Sequence, residues 1–173
     1  MALLEKQLVV KLSTIPGAGK GLFTKKAIPK GTLIVEYKGK VSTWKDVDHD
    51  GGNNGYIYYL TRNFVINAAN YKTALARYAN DARGIGRVKG VLNNSHYVSE
   101  GNRVYIETLK EIPAGSEILV SYGHEYWDVI RHNLKIDEEE KKKSLQKAKK
   151  ATKTKTAGKK VKKKTTSQKL KRA

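Results

Sequence analysis

Cysteine is absent from all 173 positions, which removes disulfides, thiolate metal sites and cysteine nucleophiles at once. Phenylalanine and tryptophan occur twice each and proline three times, so the aromatic load falls on ten tyrosines. A tyrosine brings bulk and a neutral hydroxyl together, and ten of them make an apolar but hydrogen-bonding interior available. No apolar run approaches the roughly 20 residues of a membrane span, and the first residues lack the layout of a secretory leader. Acidic residues are missing from one whole region. Residues 141–173 hold fifteen Lys, one Arg and no Asp or Glu, which leaves 19 basic against 16 acidic residues in the first 140. Most of the net charge of +19 therefore sits on the last 33 residues.

That distribution predicts a nearly neutral folded body, residues 1–136, and a disordered Lys-rich tail, residues 137–173. The tail has only Leu145, Val161 and Leu170 as sizeable apolar residues and cannot build a core of its own. Such a tail is expected to bind DNA or RNA through phosphates, without reading sequence and with strong salt dependence. It is also a possible address or a methyl acceptor. The expected location is intracellular, in nucleoid-associated cytoplasm or the nucleus, with no membrane partner.

The body is organised around residues 112–127. A Pro113-Ala114-Gly115 turn feeds an alternating segment with Ile118 and Val120, which ends on Tyr122-Gly123. A phenol at a strand end, followed by a glycine that frees the backbone to turn, can be aimed into a cleft. Upstream, residues 7–12 alternate and are rich in valine, as an opening strand would be. Gly17, Gly19 and Gly21 follow within five residues, which predicts close backbone approach. A nucleoside-triphosphate loop is excluded, because Gly21 stands where Ser or Thr is needed after Gly19-Lys20. Residues 27–39 repeat the turn, strand and tyrosine order and deliver Tyr37. Residues 41–55 read as a polar loop, and Asp46, Asp48 and Asp50 do not complete a calcium-loop pattern. Residues 56–60 and 64–68 read as paired strands, 69–79 as a short helix, 82–94 as an irregular stretch and 104–109 as a strand. Residues 124–134 read as a short helix packing on Tyr126, Trp127 and Ile130. His49, His96, His124 and His132 form no triad-like pattern, so acid–base catalysis by histidine is not expected.

Gly19-Lys20-Gly21-Leu22-Phe23, Glu36-Tyr37-Lys38-Gly39, Ile66-Asn67-Ala68, Arg77-Tyr78-Ala79-Asn80-Asp81 and the segment from Glu117 to Gly123 stand in this order. In that order and spacing the chain resembles SET-domain protein lysine methyltransferases, over roughly residues 8–127. The resemblance implies a mostly β, SET-like fold of several small curved sheets with a pseudoknot, plus short helices. It implies S-adenosylmethionine as cofactor, held by the backbone of Ala18, Lys20 and Leu22, by Asn80, and by backbone contacts at Arg77 and Asp81. Trp127 would cover the adenine. Tyr122 would lie nearest the transferred methyl, with Tyr37 and Tyr97 lining the channel of the target lysine. The implied partner is a basic protein carrying that lysine, histone-like or otherwise nucleic-acid-associated. The chain departs from the family in having Asp81 where His is usual and in lacking zinc-binding flanks. The alternative reading is an inactive SET-like module in a nucleic-acid-binding protein.

Overall fold

A computed structural model describes residues 3–50, 54–84 and 86–169, with side chains as far as residue 146. The chain forms two compact units, Met1–Trp127 and Asp128–Ala173. Among its described residues the first holds eight short strands in three antiparallel sheets: β1 (Leu8–Leu12) with β2 (Lys20–Thr24), β3 (Leu33–Glu36) beside β8 (Arg103–Thr108) and β7 (Ser95–Glu100), and β4 (Lys40–Ser42) beside β6 (Phe64–Asn67) and β5 (Ile57–Thr61). The mostly β class that the sequence implies is the one observed.

The sheets share one core because their apolar residues do not alternate strictly. In β3, Ile34 and Val35 are both buried, and in β8 Val104, Tyr105 and Ile106 are buried in succession, as strands covered on both faces require. Ile28, Ile112, Ile118 and Val120 are completely buried although they lie outside the strands. Removing such a side chain to Ala costs about 2–5 kcal/mol.

Several local expectations change. Residues 118–120 form no strand of a sheet; single bridges tie Phe23 to Glu117, Asn80 to Leu119 and Ser95 to Val120. The segment lies between three pieces of chain, and no one ladder runs along it. Residues 69–79 hold only a turn of 3-10 helix, Leu75–Tyr78, although four Ala, Leu75, Lys72 and Arg77 favour helix, so tertiary contacts override local propensity there. β4 and β7 were not expected: β4 carries two exposed residues of three, and β7 begins directly after an irregular stretch. The helix expected over 124–134 begins at His124 and its backbone continues to Lys169, through a run rich in Lys, Ala and Glu, which favour helix. Among the described residues, no helix is long and apolar enough to cross a membrane.

Candidate active site

The site is assembled on the segment 116–122, which is gripped from both sides. On one side Thr24 N donates to Ser116 O (3.1 Å) and Ile118 N to Leu22 O (2.7 Å). On the other, Val120 N donates to Asn80 O (2.9 Å), and Asn94 N and Ser95 N both reach Leu119 O (3.0 Å). The buried Asn94 side chain closes the grip: its amide donates to Glu117 O (2.7 Å) and its oxygen accepts from Leu119 N (2.9 Å). A threaded segment of this kind cannot slide, because each shift would leave buried amide groups without partners.

Two buried carboxylates tie distant chain segments to this thread. Glu117, 5% exposed, accepts from Ser13 Oγ (2.7 Å), Thr14 N (2.7 Å), Thr14 Oγ1 (2.6 Å) and Asn80 Nδ2 (3.1 Å). The glycine-rich loop is thereby fastened to the thread about a hundred residues later. Gly21 has to be glycine here for a reason unforeseen in its sequence: a Cβ at that position would overlap the Glu117 carboxylate. Asn80 Nδ2 also donates to Lys20 O (3.0 Å). In β2 the Lys20 and Leu22 carbonyls face away from β1, since Ser13 N bonds Gly19 O and alternation then turns every second residue outward.

Asp81, 4% exposed, is the second anchor. Oδ1 accepts from Arg83 N (2.8 Å) and Asn93 Nδ2 (2.8 Å), and Oδ2 from Tyr122 N (2.8 Å) and Trp127 Nε1 (2.8 Å). Four donors satisfy a buried carboxylate that would otherwise be very costly. The same oxygen therefore sets the Tyr122 backbone and the Trp127 indole, and the two rings lie nearly parallel, 14° apart with centroids at 5.8 Å. Tyr126 meets both edge-on, at 5.1 and 5.0 Å. Gly123 turns the chain beneath Tyr122 at φ 88°, as the Tyr-Gly pair suggests.

A second cluster of phenols is built from residues in or next to β3, β5 and β7. Tyr37, Tyr58 and Tyr97 contact one another with ring centroids 5.0 to 5.8 Å apart. Tyr37 donates its hydroxyl proton to Tyr56 O (3.0 Å) and Tyr122 donates to Ala79 O (2.7 Å). Burial pushes the phenols of Tyr37, Tyr97 and Tyr122 well above their ordinary value, and neighbouring phenols add to this at Tyr97 and Tyr122. All stay neutral near pH 7. The Arg77 charge opposes burial at Tyr37; its guanidinium lies over the Tyr56 ring, 4.1 Å from the centroid.

The structure thus brings Tyr37 and Tyr97 into one aromatic cluster with Tyr58, puts Tyr122 in another with Tyr126 and Trp127, and sets Lys20, Leu22, Asn80, Asp81 and Trp127 around the thread. Ala18 packs on a smaller cluster of Ile15, Ala82 and Leu119. Leu22 contributes its side chain to the core and its carbonyl to Ile118. Sequence reasoning missed the anchors Glu117, Asn93 and Asn94, and the wall residue Tyr58. The alternation of β5, which turns Tyr59 and Thr61 out, was the available signal for Tyr58.

The SET domain family model matches residues 19–123. The chain is 24% identical over 146 residues to the histone-lysine N-methyltransferase EZH2 of Chaetomium thermophilum, covering 78% of this chain and 9% of that protein. It thus spans about a tenth of the length of that curated relative. Among solved structures, the methyltransferase domain of human PR domain-containing protein 2 superposes with a TM-score of 0.50 at 25% identity, over 68% of this chain and 77% of that one.

Proposed function

This chain belongs to the SET domain family of protein lysine methyltransferases, and from that membership we propose that it transfers a methyl group from S-adenosylmethionine to a lysine of a basic, nucleic-acid-associated protein. The observation that carries the reading is the state of two hydroxyls. Tyr37 and Tyr122 have each committed their proton to a backbone carbonyl, so their lone pairs are the groups left to meet an incoming amine. An amine that donates N–H to those oxygens presents its own lone pair in a fixed direction, which is what an in-line displacement needs.

The amine must arrive uncharged. At pH 7 a free lysine, with pKa about 10.4, holds its proton by roughly 4.6 kcal/mol. A wall of neutral phenols offers the ammonium form no counter-charge and desolvates it, so the neutral form is favoured. No histidine base is required.

The groups around Asn80 fit the chemistry of the cofactor. The Lys20 carbonyl and the Asn80 side chain suit an ammonium, the loop bearing Gly17 and Gly19 suits a carboxylate through its amides, and the Trp127 ring suits a purine. The buried Asp81 carboxylate places negative charge behind Tyr122 and Trp127, where it favours a cationic ligand. When bound, the cofactor supplies an activated methyl on a sulfonium. This chain's part is to orient the amine, keep it neutral and keep water out.

In this proposal the tail, residues 141–173, holds nucleic acid through phosphates and so brings the enzyme to its substrate, in the nucleus or on a nucleoid. The test is methyl transfer from labelled cofactor by the full chain, by Tyr122→Phe, and by a chain with the tail lysines changed to glutamine, on histones and other basic nucleic-acid-binding proteins. Label on lysine that falls in Tyr122→Phe supports the reading. Cofactor binding without transfer to any of these proteins would leave the fold and sink the activity.

A further inference from the structure

We propose that Arg77 is a positioning residue of the tyrosine cage, acting through Tyr56. The proposal rests on the methyltransferase reading above. The sequence resemblance assigns Arg77 only backbone contacts, yet its side chain makes the more specific ones. Its guanidinium carbon lies 4.1 Å from the Tyr56 ring centroid and 5.2 Å from that of Tyr78, and its Nε is buried with no hydrogen-bond partner among the described residues. A guanidinium held without a carboxylate or carbonyl at that nitrogen is held by ring faces, and its planar shape is what makes two such contacts possible.

Tyr56 is gripped at its ring and at its peptide. Arg77 takes its ring, and the Tyr37 hydroxyl takes its carbonyl, which also accepts from Ala68 N (3.0 Å), while its N–H donates to Asn54 Oδ1 (3.1 Å). Tyr56 also stands next to β5, two residues before Tyr58, whose ring touches both Tyr37 and Tyr97. On its other side Gly55 faces the Tyr126 hydroxyl, which would sit 2.9 Å from a Cβ there. Arg77 itself is carried by the turn Leu75–Tyr78, three residues before Asn80. One side chain therefore links the segment that bears Asn80 and Asp81 to the strand that bears the cage wall. Without the stacked guanidinium the Tyr56 ring loses its partner and the peptide keeps its hydrogen bonds to Tyr37, Ala68 and Asn54, so the acceptor that fixes the Tyr37 hydroxyl is less tightly set.

The variants are Arg77→Met, which keeps length and removes the charge and plane, and Arg77→Lys, which keeps the charge. In Arg77→Met we expect kcat to fall about tenfold while cofactor Kd stays within about twofold, because the loss lies in amine placement. The ratio of mono- to more highly methylated product should change as well, since Tyr37 bounds the space beside the amine. Arg77→Lys should return that ratio part of the way. Compared at the same extent of reaction, the product ratio does not depend on how much enzyme is folded, so a merely structural role cannot move it.

Amide hydrogen exchange measured without substrate gives an independent arm. Exchange in β5 should quicken in Arg77→Met while β1 and β2 are unchanged. If the parent chain transfers no methyl, the methyltransferase reading fails and the exchange arm still decides the Arg77 link. An unchanged product ratio in an active Arg77→Met chain, or β5 exchange like that of the parent, would overturn the proposal.

Discussion

The anchors of the thread and the cluster of phenols solve opposite electrostatic problems. At the thread, Asp81 and Glu117 are buried carboxylates, and each accepts from four hydrogen-bond donors. In the cluster of phenols stand Tyr37, Tyr58 and Tyr97, all neutral, with burial resisting any ionisation. Charge is used where segments must be locked and a cation is to be welcomed. It is withheld where an amine has to give up its proton. The difference shows that burial by itself does not define a site; the count of donors aimed at a buried oxygen does.

The strongest way to break that contrast is Asp81→Asn. The amide is the same size, but whichever way it turns, its NH2 meets two donors: Tyr122 N and Trp127 Nε1, or Arg83 N and Asn93 Nδ2. We expect a loss of about 3 kcal/mol or more in denaturant unfolding, with methyl transfer abolished. Glu117→Gln should be milder. Ser13 Oγ can rotate to accept from the new amide, so only the 3.1 Å contact with Asn80 is lost. Should the two amides cost the same, donor counting would not be the controlling quantity.

Tyr122→Phe comes next. It leaves the Asp81 bonds, which use the Tyr122 backbone, and removes only the hydroxyl on Ala79 O. The expected outcome is a fall in kcat of about a hundredfold with cofactor affinity kept, read by transfer kinetics and calorimetry. Gly21→Ala forces a methyl into the Glu117 carboxylate and should cost about 1–3 kcal/mol in thermal unfolding, without touching the phenols.

The neutral side is sharpened by pH. The folded phenols of Tyr37, Tyr97 and Tyr122 titrate above the ordinary value of 10.0, so their contribution is fully present below that value and is lost as pH rises beyond it. Tyrosinate absorbance of the buried phenols should appear only together with alkaline unfolding. Titration of all ten tyrosines in the folded chain near pH 10 would contradict the cage. The smallest effect is expected at the sheet edge, where Arg103 bonds Glu36 through Nε (2.9 Å) and NH2 (2.7 Å). The hydrogen bond from Arg103 holds the Glu36 carboxyl below its ordinary 4.5, so this pair contributes above that value and fades as pH falls through the lowered one. Arg103→Met should lower the melting temperature slightly at neutral pH and not at all in acid.

Local chemistry made part of this molecule readable from its residues. The Tyr122-Gly123 pair, the glycine loop, the β5–β6 hairpin and the core face of β1 all follow from period, turn residues and backbone freedom, which act over a few positions. The lack of cysteine and the uneven charge are composition and needed no fold at all. Gly21 shows the limit. Its place in a glycine cluster suggested a backbone approach, while the contact that forbids a side chain comes from Glu117, 96 positions away. Asp81 is similar: in sequence it is a departure from a family habit, and in space it is the hub for Arg83, Asn93, Tyr122 and Trp127. Whether a buried carboxylate is a penalty or an anchor depends on donors whose positions no neighbouring residue encodes. Composition and local pattern determined which segments could turn, extend and carry phenols. Only threading residues 116–122 between β2, Asn80 and Asn94 decided which of those phenols meet, because hydrogen-bond partners that lie far apart in sequence are chosen when the chain closes on itself.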